Sequence, residues 1–260
     1  MNALTIDIYS WEAIVLLLLA GFMVGVVNTF AGSGTIITYS LFTFFGLSPN
    51  MANGTVRMGV VMQTLTSSWM FHRKNLLDIK RGFILAIPNT IGSVAGAYYA
   101  TTIDKDIFEK IVGIVMLLMV FFIFFDPEKW IKGQAEKIAR KPNYLQQGIF
   151  FVLGFYGGFI HIGVGIFLLA VLVLNQGYDL VKANALKVFI VLIYSPFTLL
   201  VFMLSSQVHY GMGLISAVGN IIGAYFAAKY AIKKGAAFLR WVLVLIVLAF
   251  IAHLFGILKF

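Results

Sequence analysis

The chain has 260 residues, of which 61% are hydrophobic and only 11% charged, with no cysteine and a formal net charge of +9. A soluble domain carries roughly 25% charged residues, so burial in one core does not account for the apolar excess. The missing cysteines exclude disulfides, thiol catalysis and thiolate metal sites.

The first ten residues hold Asp7 but no Lys or Arg. A cleaved signal peptide needs a basic start, so the apolar block Ala13–Phe30, preceded by Glu12, is expected to be a retained transmembrane helix. A polar, glycine-rich run follows, Asn28-Thr-Phe-Ala-Gly-Ser-Gly-Thr35, and then a short apolar segment, Thr35–Phe45, of about half a membrane thickness. After Gly46 comes Ala52-Asn-Gly-Thr55 and the block Val56–Phe71, which opens on Arg57 and carries Gln63. The basic loop Arg73, Lys74, Lys80, Arg81 separates it from Phe83–Ala100, which contains Gly92-x-x-x-Gly96. Ile111–Phe125 completes the first half.

A linker, residues 127–146, carries Lys129, Lys132, Lys137, Arg140 and Lys141. The second half then repeats the first. Gly154-Phe-Tyr-Gly-Gly158 resembles Gly21-Phe-Met-Val-Gly25, Gly163-Val-Gly165 resembles Gly32-Ser-Gly34, and Gly177 and Ala183-Asn184 match Gly46 and Ala52-Asn53 at one offset. Ile166–Asn175 is the second short segment. Lys187 stands close to the place of Arg57, and Tyr194 and Ser195 lie one or two turns further on. Gly219-x-x-x-Gly223 answers Gly92-x-x-x-Gly96, and Trp241–Leu258 closes the chain. The two halves cover about residues 11–126 and 147–258, in a single transmembrane domain over 1–260.

Lipid cannot hydrogen-bond the backbone, and strict apolar/polar alternation is absent, so the blocks are read as helices rather than barrel strands. The predicted fold is all-α, a polytopic membrane protein. Each half has a long helix broken into a re-entrant pair, plus three transmembrane helices. Three crossings invert the second half relative to the first, a recurrent transporter design. Placing the three basic groups, including Lys229, Lys233, Lys234 and Arg240, in the cytoplasm satisfies the positive-inside rule. The linker is then cytoplasmic and both termini are external; Lys259 alone disagrees.

The glycine breaks are the candidate binding site. A helix restarting after a break presents unpaired N–H groups and a positive dipole end, which attract anions. The candidate substrate residues are Asn28, Gly32, Ser33, Gly34, Thr35, Arg57, Gln63, His161, Gly163, Gly165, Lys187 and Tyr194. Glycines of such runs also serve simple close packing. That is the reading of Gly92, Gly96, Gly219 and Gly223, where alanine at Gly92 is expected to harm binding less than valine at Gly34 or Gly165. Arg57 and Lys187 read two ways. They are read as cations near the external and cytoplasmic vestibules that draw anions in, or as side chains snorkelling to the interface from the first turn of their helices. His161 can titrate or donate a hydrogen bond. Gln63, Tyr194 and Ser195 line a path or bond between helices.

No G-x-x-x-x-G-K-S/T phosphate loop, H-E-x-x-H motif or Cys/His cluster is present. No cofactor, metal or catalytic pair is called for, and no nucleic acid, since basic loops that orient a membrane protein explain the net charge. Acidic residues fall near segment ends, and a cation carrier needs buried carboxylates, so the substrate is expected to be an anion.

The motif Gly21–Gly34 with Gly46 and Ala52–Thr55, and its partner Gly154–Gly165 with Gly177, Ala183 and Lys187, resemble the TauE/SafE sulfite exporter family, also called the toluene sulfonate uptake permease family. The resemblance covers nearly the whole chain. It implies an inner-membrane secondary carrier of sulfur-containing oxyanions, such as sulfite or organosulfonates, for which a proton or another ion can serve as coupling partner. A carrier of another small anion, such as a carboxylate, is the alternative, and an intramembrane enzyme a lesser one.

Overall fold

A computed structural model describes residues 10–104, 107, 108, 111 and 143–254, with 235–254 described as backbone only. The predicted segment Ile111–Phe125 beyond its first residue, nearly all of the linker, and both chain ends, with Asp7 and Lys259, lie outside these residues.

The described residues are helical, with no strand among them. The helices are α1 (Trp11–Phe30), α2 (Thr35–Phe44), α3 (Pro49–Arg73), α4 (Ile79–Thr102), α5 (Tyr144–Phe159), α6 (Val164–Ala170), α7 (Leu180–Leu204) and α8 (Tyr210–Leu254). A π-helical turn, Val171–Asn175, prolongs α6, so the short second segment starts two residues earlier than its apolar block. Polar caps set the starts. Ser10, Ser48, Asp78 and Asp179 accept backbone N–H bonds at the heads of α1, α3, α4 and α7, and Asn143 with Gln146 forms a capping box on α5.

Trp11–Phe30, Leu180–Leu204 and Tyr210–Lys234 are long and apolar enough to cross a membrane. Helices α3 and α4, of 25 and 24 residues, match them in length, at about 1.5 Å per residue. Their polar residues turn inward: Asn53, Arg57, Gln63, Thr64 and Asn89 are buried. Large apolar side chains face outward instead, among them Leu19, Ile87, Ile91, Leu200 and Leu214. Such an apolar exterior suits lipid.

Glycines form two seams between halves. A Cβ on Gly21 or Gly25 of α1 would meet the carbonyl oxygen of Ser216 or Asn220 of α8 at 2.1 and 2.3 Å. Gly219 and Gly223 return the contact to Leu18 and Phe22. Helices α4 and α5 repeat the pattern, with Gly92 and Gly96 against Phe151 and Phe155, and Gly154 and Gly158 against Asn89 and Ser93. Both helix pairs run parallel, because residue numbers rise together along each seam. Alanine at Gly92 strains this seam, since its Cβ would fall 2.1 Å from the Phe151 carbonyl oxygen.

The backbone repeats as well. The described residues with positive φ are Gly32 and Gly163, Gly46 and Gly177, Asn75 and Ser206. Each pair has the same separation along the chain, so three sharp turns recur in the same register.

Loops collect at two ends of the bundle. At one end, Asp78 accepts from the Tyr178 hydroxyl at 3.2 Å, Arg81 donates to Gln176 at 2.9 Å, and Gln146 donates to Asn175 at 2.8 Å. Phe71, Leu76, Leu77, Ala231 and Ile232 join one apolar cluster there. That end carries Arg73, Lys74, Lys80, Arg81, Lys182, Lys233 and Lys234. At the other end Gln207 donates to the Thr101 carbonyl and Asn50 to that of Ala100, at 3.1 Å each. The loops there, 44–50, 102–104 and 204–210, have no Lys or Arg.

Candidate functional site

The two glycine breaks touch. A Cβ on Gly32 would lie 2.3 Å from Gly165 Cα, and one on Gly165 would lie 2.5 Å from Gly32 Cα. Only residues without a side chain allow this approach, and the positive φ of Gly32, +83°, adds a second reason for glycine there. Gly34 does something else: its Cβ would strike Val27 of α1, so it closes the first hairpin rather than the crossing. Gly163 is the left-handed residue that starts α6.

Polar side chains from both breaks sit around the crossing. Asn28 donates to Thr35 Oγ1 at 2.9 Å, tying the end of α1 to the start of α2. Its Oδ1 is buried with no hydrogen-bond partner among the described residues. Ser33 and Thr35 are buried, and no side chain caps the head of α2. In the second break, His161 is buried, with Nδ1 3.2 Å from the Tyr194 hydroxyl. Gln63 is not at the crossing: its amide lies 3.2 Å from that of Asn220, in the seam of α1 and α8.

Arg57 and Lys187 occupy places that no reading of the sequence foresaw. Their helices start at Pro49 and Leu180, so both lie beyond the second turn, with 1% and 2% exposure. Neither stands in a vestibule and neither snorkels. Arg57 of α3 donates through Nη1 and Nη2 to the carbonyls of Gly157 and Gly158, at the end of α5, and stacks 4.6 Å over the Phe202 ring. Asn53, one turn earlier, donates to the next carbonyl, Phe159, at 2.8 Å. Lys187 of α7 donates to the carbonyls of Asn28 and Thr29 at 3.1 Å and of Phe30 at 3.4 Å, at the end of α1. Each broken helix therefore ends on a cation supplied by the other half. Orphan carbonyls at a helix end need donors, and cations suit its negative pole.

The halves differ in one detail. Asn184 matches Asn53 in sequence, yet both its amide atoms are buried without partner among the described residues, and Lys187 alone meets the carbonyls of residues 28–30. Sequence reasoning used Asn53 and Asn184 only as markers of the repeat. Their recurrence close to a cation is the signal that sets them apart. Outside the apolar interior, burial and then the Asp78 carboxylate push the Tyr178 phenol up, which keeps it a donor in the contact at the basic end.

The sequence pattern of the family described as sulfite exporter TauE/SafE matches residues 17–254. A probable membrane transporter protein of Haemophilus influenzae is 26% identical over 231 residues, covering 88% of this chain and 89% of that protein. The probable membrane transporter proteins YunE of Bacillus subtilis and YfcA of Escherichia coli are 27% and 22% identical. They cover 89% and 86% of this chain, and 95% and 82% of their own lengths. No solved structure matches.

Proposed function

We infer that this chain, which belongs to the sulfite exporter TauE/SafE family and is a multi-pass membrane transporter rather than an enzyme, works on a small anion. We propose that it is a secondary carrier of small sulfur-containing oxyanions, sulfite or organosulfonates, held where the two glycine breaks cross. The observation that carries this reading is the pair of buried cations behind the crossing. No carboxylate pairs with either among the described residues, and the Lys182–Asp179 ion pair is peripheral. A positive interior without its own counter-ions suits an anionic cargo.

Reconstituted into liposomes without ATP, the protein is expected to take up labelled sulfite or an organosulfonate saturably, each competing with the other. Uptake of a small carboxylate with no uptake of either sulfur anion would replace this reading with its alternative.

The working topology is two inverted repeats in the inner membrane, the basic end cytoplasmic and both termini external. The matched turns and the parallel α1–α8 and α4–α5 seams support it, as does the gathering of Lys and Arg at one end. The native chain has no cysteine, so single cysteines report sidedness directly. Ser205→Cys and Lys74→Cys occupy corresponding, exposed positions after α7 and α3. An impermeant thiol reagent on intact cells should label the Ser205 site and spare the Lys74 site. The reverse pattern turns the protein over.

A further inference from the structure

We infer that the central site takes its anion doubly charged, and that Arg57 and Lys187 set this preference without holding the anion themselves. The inference rests on the proposed oxyanion site and specifies its cargo.

Both cations are buried, at 1% and 2% exposure, and no acidic side chain contacts either among the described residues. Two whole charges in a low-dielectric interior are costly unless something neutralises them. Backbone carbonyls do part of this. Each helix end carries about half a negative charge, and the helix that restarts after the break returns a similar positive contribution. The ends of each break therefore largely cancel, and the two integral charges remain.

Neither cation is arranged to grip a ligand. The Lys187 ammonium has three donors and three carbonyl acceptors, at 3.1, 3.1 and 3.4 Å. It is saturated, and three carbonyl acceptors around one nitrogen favour the protonated form, which alone has three N–H groups. Arg57 turns both terminal nitrogens to the carbonyls of Gly157 and Gly158 and lies over the Phe202 ring, so its fork faces the end of α5, with two of its five N–H groups on those carbonyls and Nε without a partner among the described residues. Both charges nevertheless sit close behind the crossing. Lys187 binds the carbonyls of residues 28–30, just before Gly32, and Arg57 binds those of residues 157 and 158, just before His161. They act through space. Attraction through space grows with the charge of the ligand, and a dianion neutralises the pair where a monoanion leaves one charge over.

Sulfate and methanesulfonate make the test, since they differ by an oxygen and a methyl group and carry two charges and one. Binding of each, and of sulfite, is measured at neutral pH by titration calorimetry on the protein in lipid nanodiscs. Sulfite and sulfate are expected to bind at least about tenfold more tightly than methanesulfonate, which is about 1.4 kcal/mol. Arg57→Gln and Lys187→Gln should each shrink that ratio several-fold, whereas Arg57→Lys and Lys187→Arg keep it. A purely structural role would weaken all three anions alike, and a direct contact would not be rescued by the conservative variant. Methanesulfonate binding as tightly as sulfate to the native protein overturns the inference and leaves the oxyanion carrier standing, even where a variant fails to fold. An unchanged ratio in folded glutamine variants overturns it too. No binding of any of the three anions removes the proposed function as well.

Discussion

Valine at Gly165 should abolish anion binding and transport while the protein still inserts and can be extracted. The first atom of the new side chain would stand 2.5 Å from Gly32 Cα and 3.2 Å from the Ala31 carbonyl oxygen. No rotamer relieves such a contact, because the neighbour is backbone. The two hairpin tips must separate, and overpacking of this kind costs about 1–3 kcal/mol before any loss of ligand. Alanine at Gly165 already carries the offending Cβ and should weaken binding at least tenfold, about 1.4 kcal/mol. Gly46→Ala is the matching control. Gly46 has a φ of +90° but nothing within 4 Å of a Cβ, so the change costs only backbone strain, about 1–2 kcal/mol, and leaves transport intact. Native affinity in Gly165→Val would show that the crossing of the breaks is not where the anion binds.

The second large effect falls on stability. Gly158→Ala places a Cβ 1.9 Å from the Ser93 carbonyl oxygen, and Gly92→Ala one at 2.1 Å from that of Phe151. Ordinary contact would need helices α4 and α5 to move apart by an ångström or more, along a seam built from backbone against backbone. Each variant should lower the thermal midpoint of the purified protein, by several degrees for a cost of about 1–3 kcal/mol. Gly148 lies on the same helix α5, with nothing within 4 Å of a Cβ. Alanine there should be neutral or stabilising, by up to about 1 kcal/mol from helix propensity. A Gly158→Ala protein as stable as Gly148→Ala would mean that the seam yields freely.

The helical membrane class was legible because lipid leaves the backbone no partner but itself. Long apolar blocks with polar interruptions therefore translate directly into helices and breaks. Both breaks were legible for the same reason: Gly32 and Gly163 mark sharp turns that few other residues make, and they recur in register. The packing role of Gly92, Gly96, Gly219 and Gly223 is legible in the motif, but the severity of a substitution there is not. Severity depends on which atom lies opposite, and a motif does not name its partner.

What only the tertiary structure decided is where the two cations point. In the sequence Arg57 and Lys187 are single charges near the starts of helices, and water at a membrane face is then their natural partner. In the fold, the broken ends of α5 and α1 lie nearer, each presenting carbonyls that no residue of its own helix satisfies. Those carbonyls lie about a hundred residues away from Arg57 and about 160 from Lys187 along the chain. Local pattern cannot supply such a pairing, because it arises only when one half folds against the other. The sequence by itself determined the helices, the breaks and the presence of two cations within apolar segments. The packing of the halves decided that this positive charge is buried behind the crossing, where an unpaired cation would be most costly and an anion most stabilised.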